Sequence, residues 1–202
     1  MWIRCASRIF GFQVGNRSCR IDSPKGERES MQAFVIHPLE PVYDRNSRIL
    51  ILGTMPSVKS REAGFYYMHP QNRFWPVLAD ILGEPVPATV ADRREMALRR
   101  GVALWDVLAS CEIDGSLDGT IRNPIPNDFS KLFSCSRICA VFTTGKKAAD
   151  LYRRLVRDVV GMDCIPLPSS SPANRNLSDS AIREAYRVIL PFLEDQAAPH
   201  LS

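Results

Sequence analysis

The chain has 202 residues, 45% of them apolar and 24% charged, with a formal net charge of +4. That length suits one domain with an ordinary hydrophobic core, whereas two full-size domains would be cramped, and no apolar run approaches the roughly 20 residues that span a bilayer as a helix. Residues 1–30 hold six basic side chains against three acidic ones, which leaves the rest of the chain at only +1, so bulk charge is a weak argument for a polyanionic partner.

Residues 1–30 mix Arg, Ser and Gly with scattered apolar positions and end in the breaker-rich Ser23-Pro24-Lys25-Gly26, which predicts a disordered extension. Its acid-free first 20 residues permit a transit peptide; an upstream start codon, with Met31 as the natural beginning, is the simpler reading. Arg4 and Arg8 interrupt any secretory apolar core, so a cytoplasmic location is expected, with the six cysteines reduced. Cys135 and Cys139 are a close pair with no second pair or histidines at ligand spacing, so neither metal nor cofactor is expected.

From Met31 on, short apolar strands alternate with amphipathic helices. Residues 48–52 form a buried strand running into Gly53. Phe74, Val77, Leu78, Ile81 and Leu82 recur at helical spacing and stop at Gly83, with Pro76 tolerated in the first turn. A charged surface helix spans 91–100, and 102–107 is a second strand. The polar stretch 112–128 is too long for a simple connection and reads as a functional loop. A third strand covers 138–142, Gly145 opens a helix, 164–167 is a fourth strand, and Ser178 caps a last helix running through Leu193. This alternation predicts an α/β fold, a three-layer α/β/α sandwich around a four-stranded, mainly parallel sheet, occupying 31–195 ahead of a tail at 196–202. In such sheets ligands bind beyond the carboxyl ends of the strands, which singles out the loops after Leu52, Val107 and Leu167.

Those loops hold the candidate chemistry. Gly53-Thr54-Met55-Pro56-Ser57 is a sharp turn, followed by the aromatic run Phe65-Tyr66-Tyr67, which is either a stacking surface for a base or packing for a long loop. The run 168–175 brackets Ser169, Ser170 and Ser171 with prolines ahead of Asn174 and Arg175, a composition that suits either phosphate contacts or an ordinary helix-leading linker. No Gly-x-Ser-x-Gly elbow, Walker loop or Gly-x-Gly-x-x-Gly is present. His37 and His69, each beside a proline, show no evident partner.

In this order and spacing the loops resemble the uracil-DNA glycosylase superfamily over 31–193. His69-Pro70-Gln71-Asn72-Arg73-Phe74-Trp75 is similar to a segment of the mismatch-specific uracil and thymine glycosylases. Gly53-Thr54-Met55-Pro56-Ser57, with Phe65-Tyr66-Tyr67 and Ile121-Arg122-Asn123-Pro124, most resembles the hypoxanthine-DNA (deoxyinosine) glycosylases. The resemblance implies hydrolysis of an N-glycosidic bond in DNA carrying deaminated bases, by a monofunctional, metal-free monomer. Met55 stands where the uracil-excising families place the Asp or Asn that handles the attacking water, and a thioether is too weak an acceptor for that job. The resemblance transfers the role to Asn72, which could equally cap a helix. It also gives Tyr67 the place of the aromatic that stacks on the flipped base, and puts Gly53, Thr54 and Met55 around that base. Asp106, where the uracil enzymes carry a base-reading Asn, could accept the N1–H of hypoxanthine or merely face solvent. Ser57, Ser169, Ser170 and Ser171 are expected at the DNA, with Asn174 or Arg175 filling the gap left by the flipped base. Arg73, Arg122, Lys146, Lys147 and Arg175 are expected to share one DNA-facing surface. The alternatives are a glycosylase for uracil or another damaged base, and a non-catalytic DNA- or nucleotide-binding α/β module.

Overall fold

The computed structural model describes residues 33–194, so the predicted extension and tail lie outside the described residues. In chain order the elements are β1 (Ala33–Ile36), β2 (Ile49–Gly53), α1 (Val58–Ala63), α2 (Phe74–Leu82), α3 (Val90–Arg99), β3 (Val102–Asp106), β4 (Leu108–Ile113), β5 (Arg122–Pro126), α4 (Ser130–Ser134), β6 (Ala140–Thr144), α5 (Lys146–Leu155), α6 (Arg157–Val160), β7 (Cys164–Leu167), α7 (Asp179–Tyr186) and α8 (Leu190–Leu193).

The central sheet has the order β3-β2-β6-β7 and every pairing in it is parallel. Alternating side chains of β2 point to opposite faces, which is why two cores form. Ile49 and Ile51 pack with Leu78, Trp75, Met96 and Tyr186, so α2, α3 and α7 cover one face. Leu50 and Leu52 pack with Ala148, Leu151, Tyr152 and Leu132, which places α5 and α4 on the other. All five residues of β2 are buried, and such strands read as uninterrupted apolar runs in sequence.

Two predicted elements are corrected. The stretch 112–128 is not one long loop, because much of it belongs to a second sheet of order β1-β4-β5, antiparallel throughout. Its outer strands β1 and β5 are short and largely exposed, with Phe34 and Ile36 in β1 open to solvent, so they lack the apolar signature of the central strands, while the middle strand β4 is mostly buried. Only the turn between β4 and β5, carrying a short 3₁₀ stretch at Asp118–Thr120, behaves as a loop. The last helix is also not continuous. Its cap is as expected, with Ser178 Oγ accepting the Ala181 N–H at 3.2 Å, but α7 ends at Tyr186 and a 3₁₀ turn separates it from α8. Pro191 sits in the first turn of α8 and has no N–H to extend an α-helical ladder backwards.

Candidate active site

β2 and β6 are adjacent in space, while the chain leaves β2 for β3 on its other side. That reversal of direction across the sheet is where open α/β sheets place their ligands. A pocket of about 410 Å³ opens there, lined by Gly53 and Thr54 after β2, Asp106 at the end of β3, Thr144 at the end of β6 and Ser169 beyond β7. In the parallel ladder Gly53 pairs in register with Asp106, so the two side-chain positions face the same way. Gly53 is required for that reason: a Cβ there would collide with Asp106 Oδ1 and approach the Tyr67 hydroxyl to 3.6 Å.

Asp106 is not a solvent-facing strand end but a buried residue at 4% exposure. Its Oδ2 lies 2.8 Å from His37 Nε2. His37 Nδ1 accepts the Leu39 backbone N–H at 3.2 Å. Because that backbone group can only donate, Nδ1 carries no proton; the imidazole is the neutral Nε2–H tautomer and donates to the carboxylate. The partner missing from the sequence reading of His37 is therefore Asp106, 69 positions away. His69, by contrast, accepts the Gln71 N–H at 3.2 Å on the pocket rim.

The aromatic run divides its labour. Phe65 and Tyr66 enter the core, and Tyr66 donates to the Glu40 carbonyl at 2.9 Å. Tyr67 turns the other way, with a left-handed φ of 57° that non-glycine residues seldom adopt. One face of its ring lies on Phe74, centroids 3.8 Å apart and planes at 12°, and its hydroxyl is 3.4 Å from Thr144 Oγ1. Burial, reinforced by the Asp106 charge, holds the Tyr67 phenol well above its ordinary pKa, so it stays protonated. Asn72 also lines the pocket, and its Oδ1 accepts the Phe74 N–H at 2.9 Å, closing a turn just ahead of α2, whose N-cap position is Arg73 and not Asn72. An amide oxygen has two lone pairs, so this bond leaves one for water.

The loop 168–175 forms the opposite wall, and its polar groups are largely turned inward. Ser169 Oγ accepts the Ser171 N–H, Ser171 Oγ accepts the Ala173 N–H, and Asn174 Nδ2 donates to the Ser169 carbonyl. Ser170 is buried. Arg73 holds the loop from outside: its guanidinium donates to the carbonyls of Asn174 at 2.6 Å, Leu177 at 2.8 Å and Ser171 at 3.3 Å. Arg73 thus leaves the expected set of DNA-facing cations and becomes a brace. Lys146 pairs with Asp150 at 2.7 Å on the surface, and Arg175 is exposed.

Residues 40–193 match the family model described as the uracil DNA glycosylase superfamily. The chain belongs to this superfamily. A hypoxanthine DNA glycosylase of Methanosarcina barkeri is 37% identical over 137 residues, 67% of this chain and 85% of that protein. One of Methanosarcina acetivorans is 35% identical over 139 residues, 68% and 87% of the two chains. A solution NMR structure of a candidate uracil DNA glycosylase from Methanosarcina acetivorans superposes with a TM-score of 0.63 at 30% identity, covering 75% of this chain and 96% of that one.

Met55 lines the pocket while leaning on the second apolar cluster. Ser57 is the N-cap of α1, its Oγ accepting the Ser60 N–H at 3.2 Å. Thr54 Oγ1 donates to Asp118 Oδ2 at 3.0 Å. Asp118 comes from the turn after β4 and was not visible in the sequence as a site residue. Burial and the nearby Asp106 charge push its pKa up, opposed by the Thr54 hydrogen bond and by Lys147.

Proposed function

We propose that the protein hydrolyses the N-glycosidic bond of hypoxanthine in deaminated DNA. The observation that carries this reading is the pocket floor. Asp106 Oδ2 is occupied by His37 while Oδ1 lies over the bare Cα of Gly53, which leaves this carboxylate one free acceptor for the edge of a base. Hypoxanthine presents a ring N–H there; adenine presents an acceptor, which a carboxylate repels. The curated relatives named hypoxanthine DNA glycosylase support the same substrate.

In this reading the damaged nucleotide is flipped out of the duplex, at a cost of a few kcal/mol that is smaller for a mispaired base. The base slides onto the free face of Tyr67, extending the stack already made with Phe74, for about 1–3 kcal/mol. Asn72 Oδ1 uses its second lone pair to hold the water that attacks the sugar carbon as the bond to the base lengthens. Positive charge then develops on the sugar and negative charge on the departing base. Positioning does most of the work, because both the water and the base are fixed by groups that barely move. Met55 supplies no equivalent hold on water, which disfavours uracil excision by the usual arrangement.

The test is incubation with duplex oligonucleotides carrying one deoxyinosine or one deoxyuridine, followed by alkali to reveal abasic sites. Strand breaks at deoxyinosine, in excess of those at deoxyuridine, are expected. Intact deoxyinosine strands alongside measurable DNA binding would favour the non-catalytic module.

A further inference from the structure

We propose that His37 is the positioning residue that sets the base preference of the pocket, by fixing Asp106 as an oriented, acceptor-only carboxylate. The inference rests on the hypoxanthine reading above and adds to it a residue from outside the loops that carry the family resemblance. His37 follows β1, in the second sheet, and reaches across to a strand end of the first. Its side chain is 2% exposed and that of Asp106 5%, so the pair is shut off from solvent, with Asp106 lining the pocket and His37 behind it.

The geometry leaves the imidazole little freedom. The Leu39 N–H occupies Nδ1, and the Nε2–H it thereby specifies is spent on Asp106 Oδ2. Tyr66 packs beside the ring, centroids 6.2 Å apart. With Oδ2 tied, the carboxylate cannot rotate about its last bond, and Oδ1 stays over Gly53, facing the pocket. The remaining titratable groups around the carboxylate are Tyr66 and Tyr67, both kept protonated by burial, and Asp118. A ligand that fits such a floor has a ring N–H beside a carbonyl, the Watson–Crick edge of a 6-oxopurine. Without the His37 donor the carboxylate is free to rotate, which takes the acceptor away from this edge.

Asparagine and glutamine separate this role from a merely structural one. In His37→Asn the side-chain oxygen takes the place of Nδ1 and can still accept the Leu39 N–H, but nothing reaches Asp106. In His37→Gln the terminal amide nitrogen takes the place of Nε2 and can donate to Oδ2. Wild type and both variants are compared by kcat/KM on deoxyinosine duplexes and by unfolding midpoint. His37→Asn is expected to stay folded with a lowered unfolding midpoint, because a buried carboxylate oxygen loses its donor, and to lose about 10- to 100-fold in kcat/KM, the worth of one hydrogen bond to a charged group, with His37→Gln recovering most of both losses. An active wild type with an unimpaired His37→Asn variant overturns this proposal alone, as does an equal loss in both variants with folding intact. A wild type inert on deoxyinosine overturns the functional reading as well.

Discussion

Asn72 is asked to do two jobs with one oxygen, and they can be weighed separately. Its bond to the Phe74 N–H closes the turn that leads into α2, and removing such a bond costs about 1 kcal/mol. Holding the attacking water is worth far more to the rate, of the order of 100-fold or above. Asn72→Ala should therefore lower stability slightly in a denaturant titration and abolish most cleavage of deoxyinosine DNA. A stability loss with activity intact would leave only the turn-closing bond. Gly53 gives a sharper case. In Gly53→Ala the new methyl collides with Asp106 Oδ1, so the carboxylate must swing away from its place; kcat/KM should fall by about 100-fold, the scale expected for a displacement of about 1 Å in a reacting site. Neither His37 nor Asp118 could be found from residue type or motif, because their partners lie 69 and 64 positions away and only the fold brings them together. Gly53 and Asp106 stood out at the ends of buried strands, and Tyr67 and Asn72, between α1 and α2, through the family resemblance; all four line the pocket.

At the scale of elements, β2, β3 and β6 were readable because burial on both faces makes them nearly continuous apolar runs, and α2 because its apolar positions recur at helical spacing and stop at Gly83. The second sheet was not readable: β1 has an exposed or half-exposed residue at every position, and β5 begins with Arg122 and Asn123 and contains two prolines. The loop 168–175 illustrates how composition misleads. Its serines suggested phosphate contacts, yet much of its polar capacity is spent inside the loop and on Arg73. Arg73→Ala should weaken DNA binding by releasing this wall while leaving the dependence of log K on log salt unchanged, because a brace neutralises no phosphate. Arg175→Ala should instead reduce that slope by about one, as for a single phosphate contact. Fluorescence anisotropy across a salt series distinguishes the two.

For the molecule as a whole, stability and pH are linked through Asp118. Its folded-state pKa is raised, so folding favours its protonated form. The resulting stabilisation is full below the ordinary carboxylate pKa and is lost as pH rises through the folded value, which makes the ionised side chain a liability near neutrality. Asp118→Asn keeps an oxygen for Thr54 and should raise the melting temperature at about pH 7, with the advantage shrinking toward about pH 4. Scanning calorimetry at several pH values checks this, and a constant difference between the proteins would contradict it. The register between β2 and β3 bears on heat in another way. Because Gly53 and Asp106 are rungs of one ladder, the proposed base-reading floor is as durable as the sheet itself, whereas the wall at 168–175 is held by bonds within the loop and by side-chain bonds from Arg73 and Tyr186. On warming, affinity for DNA should fade first, and the capacity to cleave a saturating substrate should persist until the whole sheet melts.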